Sequence, residues 1–196
     1  MTNSSPKRII LAITGASGGI IGLRILKILN ELNHEVHFII SPSGERCLKA
    51  ETGQNLDQIK HLASVVYDPF DISASIASGS FHRDGMIIVP CSVKTLSAIA
   101  NSYSDNLITR SADVCLKEGK PLILGFRETP LHPGHIRLMR LASEAGAILF
   151  PLVPSFYGNP KSIDDIVNGI AGRILQRCSI SNSYYFIWKQ DLDINP

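Results

Sequence analysis

The stretch from Arg8 to Gly22, Arg-Ile-Ile-Leu-Ala-Ile-Thr-Gly-Ala-Ser-Gly-Gly-Ile-Ile-Gly, constrains the fold more than any other part of this chain. Ile9 to Ile13 is a short apolar run of the kind that forms a strand buried on both faces. It breaks at Thr14-Gly15-Ala16-Ser17-Gly18-Gly19, after which apolar residues return at helical spacing through Leu32. Strand, glycine-rich turn and helix together open a nucleotide-binding α/β unit. Glycines let the backbone approach a ligand closely, and the helix start offers free N–H groups and a positive dipole end. The spacing is not Gly-x-Gly-x-x-Gly, so the standard dinucleotide fingerprint is absent. Both a ligand-binding turn and a purely structural one fit these residues.

Strand and helix patterns alternate along the rest of the chain. Strands are expected at Glu35–Ile40, Ala63–Tyr67, Gly85–Pro90, Pro121–Phe126 and Ala147–Phe150. Helices are expected over Arg46–Ala50, Leu96–Ala100, Asn106–Glu118 and His135–Ala145. A final helix begins after Ser162, which is placed to cap it with Asp165 at the N3 position. This alternation predicts an α/β fold with a doubly wound, mostly parallel sheet. We read one domain over 1–196, with its core at about 7–179 and a tail over 180–196. The tail carries Tyr184, Tyr185, Phe186 and Trp188, an aromatic density expected to dock on the body or on a neighbouring subunit. In parallel sheets ligands gather at the carboxyl ends of strands. Ser17, Ser41, Ser92 and Arg127 all follow strands and should converge on one sheet edge.

Single positions leave alternatives open. Ser41 is either a helix cap or a ligand contact. Glu51 is either a solvated acid or a catalytic one. The turn Ser92-Val93-Lys94-Thr95 suits an anion, but it equally suits an N-cap box with a solvated lysine. Arg110 and Lys117, seven apart on one helix, are surface cations or a pair facing an anionic group. Arg127 and Glu128 are a structural ion pair or the chemistry that α/β enzymes place at a central strand end. Asp71 to Phe81 is rich in small residues and is either flexible or packed close to a ligand or subunit. The proline-rich loop Pro151–Pro160 carries aromatics and resembles a pocket wall or lid.

Composition narrows the function classes. A formal charge of +2 on 196 residues, without a dense basic run, argues against nucleic-acid binding. Four cysteines with no Cys-x-x-Cys pair argue against zinc and against a disulfide framework. The apolar runs are too short to span a bilayer and no signal-peptide pattern precedes the first strand, so a cytoplasmic protein is expected. The content is 44% hydrophobic and only 18% charged, which leaves room for a buried subunit interface.

Four motifs in order, Gly15-Ala16-Ser17-Gly18, Pro90-Cys91-Ser92-x-Lys94-Thr95, Arg127-Glu128-Thr129-Pro130-Leu131 and Pro154-x-Phe156-Tyr157, resemble the UbiX/Pad flavin prenyltransferase family. The resemblance covers roughly Lys7 to Ser179. It implies a Rossmann or flavodoxin-like fold, a homo-oligomer, usually a dodecamer, and no metal. It also implies transfer of a dimethylallyl group from dimethylallyl phosphate to N5 and C6 of reduced FMN. The product would serve a UbiD-type decarboxylase, in ubiquinone biosynthesis or aromatic-acid decarboxylation.

By the same resemblance, Gly15, Ala16, Ser17, Ser41, Ser92, Val93, Lys94, Thr95 and Arg127 contact FMN. Tyr157, Arg173, Arg110 and Lys117 serve the substrate phosphate, some of them from a neighbouring subunit. Ser17, Glu51 and Glu128 handle protons. An allyl cation must be kept from water, and the apolar loop around Phe156 and the small-residue stretch near Ser78-Gly79-Ser80 fit that task. The alternatives are an FMN-dependent decarboxylase of the cysteine-decarboxylase type and a non-catalytic FMN carrier. A nicotinamide reductase is weaker, because its Tyr-x-x-x-Lys pair is missing.

Overall fold

The computed structural model describes residues 5–187, so Trp188 lies outside the described residues. Six strands form one sheet: β1 (Arg8–Ile13), β2 (Glu35–Ile40), β3 (Val65–Tyr67), β4 (Gly85–Cys91), β5 (Leu122–Phe126) and β6 (Ile148–Leu149). Their order is β3-β2-β1-β4-β5-β6. Every pairing is parallel, where a mostly parallel sheet was expected. The helices are α1 (Gly19–Glu31), α2 (Pro42–Thr52), α3 (Leu56–Ile59), α4 (Val93–Ala100), α5 (Leu107–Lys117), α6 (Pro133–Glu144) and α7 (Ile163–Arg177).

The continuous apolar runs of the central strands follow from burial on both sides. Ile9, Leu11 and Ile13 of β1 pack into a core with α1, Leu48 of α2 and α7. Ile10 and Ala12 point the other way, into a second core with α4, α5 and α6. Helices therefore cover both faces, the doubly wound arrangement. At Gly22 a Cβ would overlap the Val89 carbonyl oxygen, so only glycine lets α1 lie directly on the backbone of β4.

Strand order reverses at β1, whose neighbours are β2 on one side and β4 on the other. The loops after β1 and β4 diverge there and leave a crevice, the usual ligand position in such sheets. Thr14 ties its two walls together. Its hydroxyl donates to the Pro90 carbonyl at 2.8 Å and accepts from the Ser92 N–H at 2.9 Å.

Several element boundaries differ from the sequence reading. The helix after β2 starts at Pro42, because Ser41 caps it and proline is at home in a first turn. The helix after β4 starts at Val93 for the same kind of reason, with Ser92 as its cap. The short α3, closed by an Asn55–Gln58 capping box, was not anticipated.

Candidate active site

A cavity of about 510 Å³ opens at the crevice, lined by residues including Gly15, Ser41, Ser92, Val93, Lys94, Thr95 and Glu128. Three helix starts face it. Ser41 caps α2 by accepting from the Gly44 N–H at 3.0 Å. Ser92 caps α4 by accepting from the Thr95 N–H at 3.3 Å. Asn106 caps α5 by accepting from the Thr109 N–H at 3.1 Å. Their dipoles bring three positive ends to one space, which suits a phosphate. Ser41 and Ser92 thus cap a helix and line the cavity at once, so the two readings of each are not exclusive. Ser43, Phe70 and Asn106 also line the cavity and were not singled out from the sequence.

The glycine-rich turn behaves differently from the expectation. Gly18 adopts a left-handed φ of 112° at the start of α1. The N–H groups there are not free: Glu51 Oε1 accepts from Gly18 at 2.8 Å and Oε2 from Ile20 at 3.0 Å. The carboxylate of Glu51 lies at the tail of α2 and the head of α1, so it complements the α1 dipole across space. This corrects the view of α1 as an open anion-binding end. Ala16 is half-buried and Ser17 exposed on the turn itself.

At the end of β5, Arg127 is exposed and Glu128 half-buried. Glu128 Oε1 accepts from the Thr129 N–H at 2.9 Å, which orients the carboxylate in the cavity wall. Cys91, adjacent to Ser92, is fully buried and its thiol is pushed far above the usual range, so no thiolate is available there.

A second cavity of about 550 Å³ brings Tyr157 and Arg173 together. It is lined by the loop after β6, by α7 and by Ser183, Tyr184, Tyr185 and Phe186 of the tail. The Phe186 ring packs on Tyr157 with centroids 5.4 Å apart. Tyr184 donates its hydroxyl to Glu31 at 2.8 Å and lies under the Arg24 guanidinium. Tyr184 and Phe186 of the tail thus pack against the body of the chain. Ser162 and Asp165 form the anticipated capping box at the start of α7, which carries Arg173. Leu152, at the start of this loop, packs close to both Gly18 and Gly125.

Arg110 and Lys117 line neither cavity. Arg110 lies 3.5 Å from Asp113 and Lys117 lies 2.8 Å from Glu118, each a carboxylate on or beside its own helix. Ser78-Gly79-Ser80 is also remote from the first cavity. Gly79 faces Lys117 and Glu118 at the tail of α5, about three turns from the Asn106 end. Within one chain, therefore, this segment does not shield the first cavity from water. Among the described residues no group of three or more His, Cys, Asp or Glu side chains could hold a metal ion.

A parallel doubly wound sheet with a crevice at its reversal point, faced by helix starts, is the architecture of the nucleotide-binding α/β class. The Flavoprotein family model matches residues 1–175. The flavin prenyltransferase UbiX of Escherichia coli (strain K12) is 49% identical over 176 residues, 89% of this chain and 93% of that one. The chain belongs to the UbiX flavin prenyltransferase family. The crystal structure of AnUbiX (PadA1) in complex with FMN and dimethylallyl pyrophosphate superposes with a TM-score of 0.92 at 42% identity, covering 94% of this chain and 98% of that one. A dodecameric FMN-dependent Ubix-like decarboxylase from Escherichia coli O157:H7 superposes with a TM-score of 0.90 at 38% identity, covering 93% and 99%.

Proposed function

We propose that this protein is a flavin prenyltransferase that joins the dimethylallyl group of dimethylallyl phosphate to N5 and C6 of reduced FMN. The observation that carries the reading is the convergence of three capped helix starts on one cavity with Glu128 in its wall. A flavin phosphate fits that donor set, because helix-start N–H groups and the hydroxyls of Ser41 and Thr95 can donate to its oxygens, while the Ser92 hydroxyl donates to Thr95 Oγ1 at 3.1 Å. Gly15, Ala16, Ser17, Val93, Lys94 and Arg127 complete the proposed flavin site. When bound, reduced FMN supplies the nucleophilic ring to which the allyl group is transferred.

The chain's own groups have separable tasks. Arg173 and Tyr157 neutralise the departing phosphate by charge-assisted and phenolic hydrogen bonds, which eases its departure. Glu128 accepts the released proton at Oε2, since Oε1 is engaged by Thr129. Ser17 relays that proton. Glu51 holds the turn that carries Ser17 and stays in the proposed proton set. The apolar loop around Phe156 and the tail aromatics exclude water, which would otherwise capture an allyl cation.

Arg110 and Lys117 act on the phosphate of a neighbouring copy in this reading, in a homo-oligomer such as the dodecamer of the Escherichia coli relative. The exposure of Phe70 (68%) and Tyr103 (65%) supports such an assembly. Four free cysteines, three of them buried, support a reducing, cytoplasmic setting. The product would pass to a UbiD-type decarboxylase.

The test is to mix the protein, reduced FMN and dimethylallyl phosphate without oxygen and to weigh the flavin. A gain of one C5 unit is expected. Bound flavin of unchanged mass would mean that the protein is a carrier instead.

A further inference from the structure

A phosphate held by several helix starts needs those starts fixed relative to one another, and α4 and α5 are joined by a side-chain bridge at the cavity mouth. Lys94, in the first turn of α4, places Nζ 2.6 Å from Oδ2 of Asp105. The other oxygen of Asp105 accepts from Asn106 Nδ2 at 2.7 Å and from Thr109 Oγ1 at 3.2 Å. Asn106 is the cap of α5, and its own Oδ1 accepts from the Thr109 N–H. Lys94 and Asn106 both line the cavity, whereas Asp105 stands behind them.

We propose that Asp105 is a positioning residue for the flavin phosphate: with Lys94 it forms an ionic latch that holds the starts of α4 and α5 in register around one anion. The inference rests on the FMN reading of this cavity. Lys94 is already engaged by a carboxylate, so its charge is largely spent before a phosphate arrives. The latch therefore acts through geometry, and the N–H groups and hydroxyls of the two helix starts make the contacts. The lysine ammonium also holds the Asp105 carboxyl below its usual range, so the latch stays ionised at neutral pH.

The competing arrangement makes Lys94 a direct phosphate ligand and Asp105 its competitor, and the two differ in sign. The measurement is the affinity for FMN relative to riboflavin, which lacks the phosphate. It is made for wild type, Lys94→Ala, Asp105→Ala, Asp105→Asn and the Ala double variant. The latch predicts that both single Ala variants lose preference for FMN by roughly two- to fivefold, the scale of an exposed ion pair. It also predicts that the double variant loses no more than either single one. Asp105→Asn, which keeps the acceptor for Asn106 and Thr109, should lose preference by less than Asp105→Ala and gives a reading if the Ala variant fails to fold.

A rise in FMN preference in the Asp105 variants, with a fall in Lys94→Ala, overturns the latch in favour of direct binding. A wild-type preference for FMN that no variant changes overturns the latch and leaves the FMN reading standing. A wild type that binds riboflavin as tightly as FMN removes the phosphate from this cavity, and the latch with it.

Discussion

The two cavities are similar in size but are built on different physics. The first is made of helix starts and hydroxyls, on the loops after β1, β2, β3, β4 and β5 and at the start of α5. It gathers partial charges that are rigid because they belong to the backbone, and it costs little to keep them aligned. The second sets one cation, Arg173, and one carboxylate, Asp165, among aromatic rings from a loop and a tail. Its lining comes from one stretch of sequence, Phe150 to Phe186, whereas that of the first is gathered from Thr14 to Glu128. A site of backbone dipoles suits a group that must be held still, and a site with a side-chain cation suits a leaving group whose charge grows as it departs. If that contrast is right, damage to each cavity should impair a different property.

The largest effect is expected from Glu128→Gln. It keeps shape but removes the base, and such losses typically cost on the order of 10²–10⁴ in rate. Single-turnover anaerobic spectroscopy should show flavin bound normally and the reaction stalled after the first bond. Ring closure at the normal rate would move the proton role to Glu51 or to the released phosphate. Next is Arg173→Ala. Loss of a charge-assisted contact of about 1.5–3 kcal/mol corresponds to roughly 10- to 150-fold, seen in use of the prenyl phosphate with FMN affinity intact. Equal loss of FMN affinity would erase the division between the cavities.

A smaller and opposite pattern is expected from Ser92→Ala. Losing the α4 cap costs about 1 kcal/mol of stability and should weaken FMN binding without changing the KM for the prenyl phosphate. Calorimetry with flavin titration reads both.

The smallest effect lies away from both cavities and serves as their control. His34 is buried and accepts from the Lys7 N–H at 3.0 Å. Burial, helped by the Lys7 charge, holds its pKa below the usual 6.5. The folded state therefore resists protonation that the unfolded chain accepts. The associated stability is complete above about pH 6.5 and is lost as pH falls toward the lower folded value. A melting temperature that declines below that pH in wild type, and less in His34→Asn, is the expected result. Riboflavin affinity, which involves no phosphate titration, should not follow the same curve.

Legibility in the sequence followed the same division. Ser41 and Ser92 could be placed because each directly follows an apolar strand, and the strand ends of a parallel sheet share one edge. Glu51 was ambiguous because its partners, Gly18 and Ile20, are more than thirty residues away and are backbone atoms without any side-chain signal. The Lys94–Asp105 latch was missed for a related reason: an ion pair across a loop has no periodicity to mark it. Asp105 directly precedes a recognisable cap, Asn106, and that adjacency was the one available cue. Tyr157 and Arg173 came from the family resemblance, while the contact of Phe186 with Tyr157 needed the folded chain.

By itself the sequence determined the sheet, its two buried faces and the edge where ligands gather. Those depend on periodicity, on glycine and on strand-to-helix alternation, all of which are local along the chain. Tertiary structure decided which helix starts remain open. Those of α2, α4 and α5 face the cavity and that of α1 is closed by Glu51, because a carboxylate from α2 reaches the start of α1 only after both have packed on the sheet. It also decided that Arg110 and Lys117 stand apart from Arg173, since α5 and α7 cover opposite faces of the sheet.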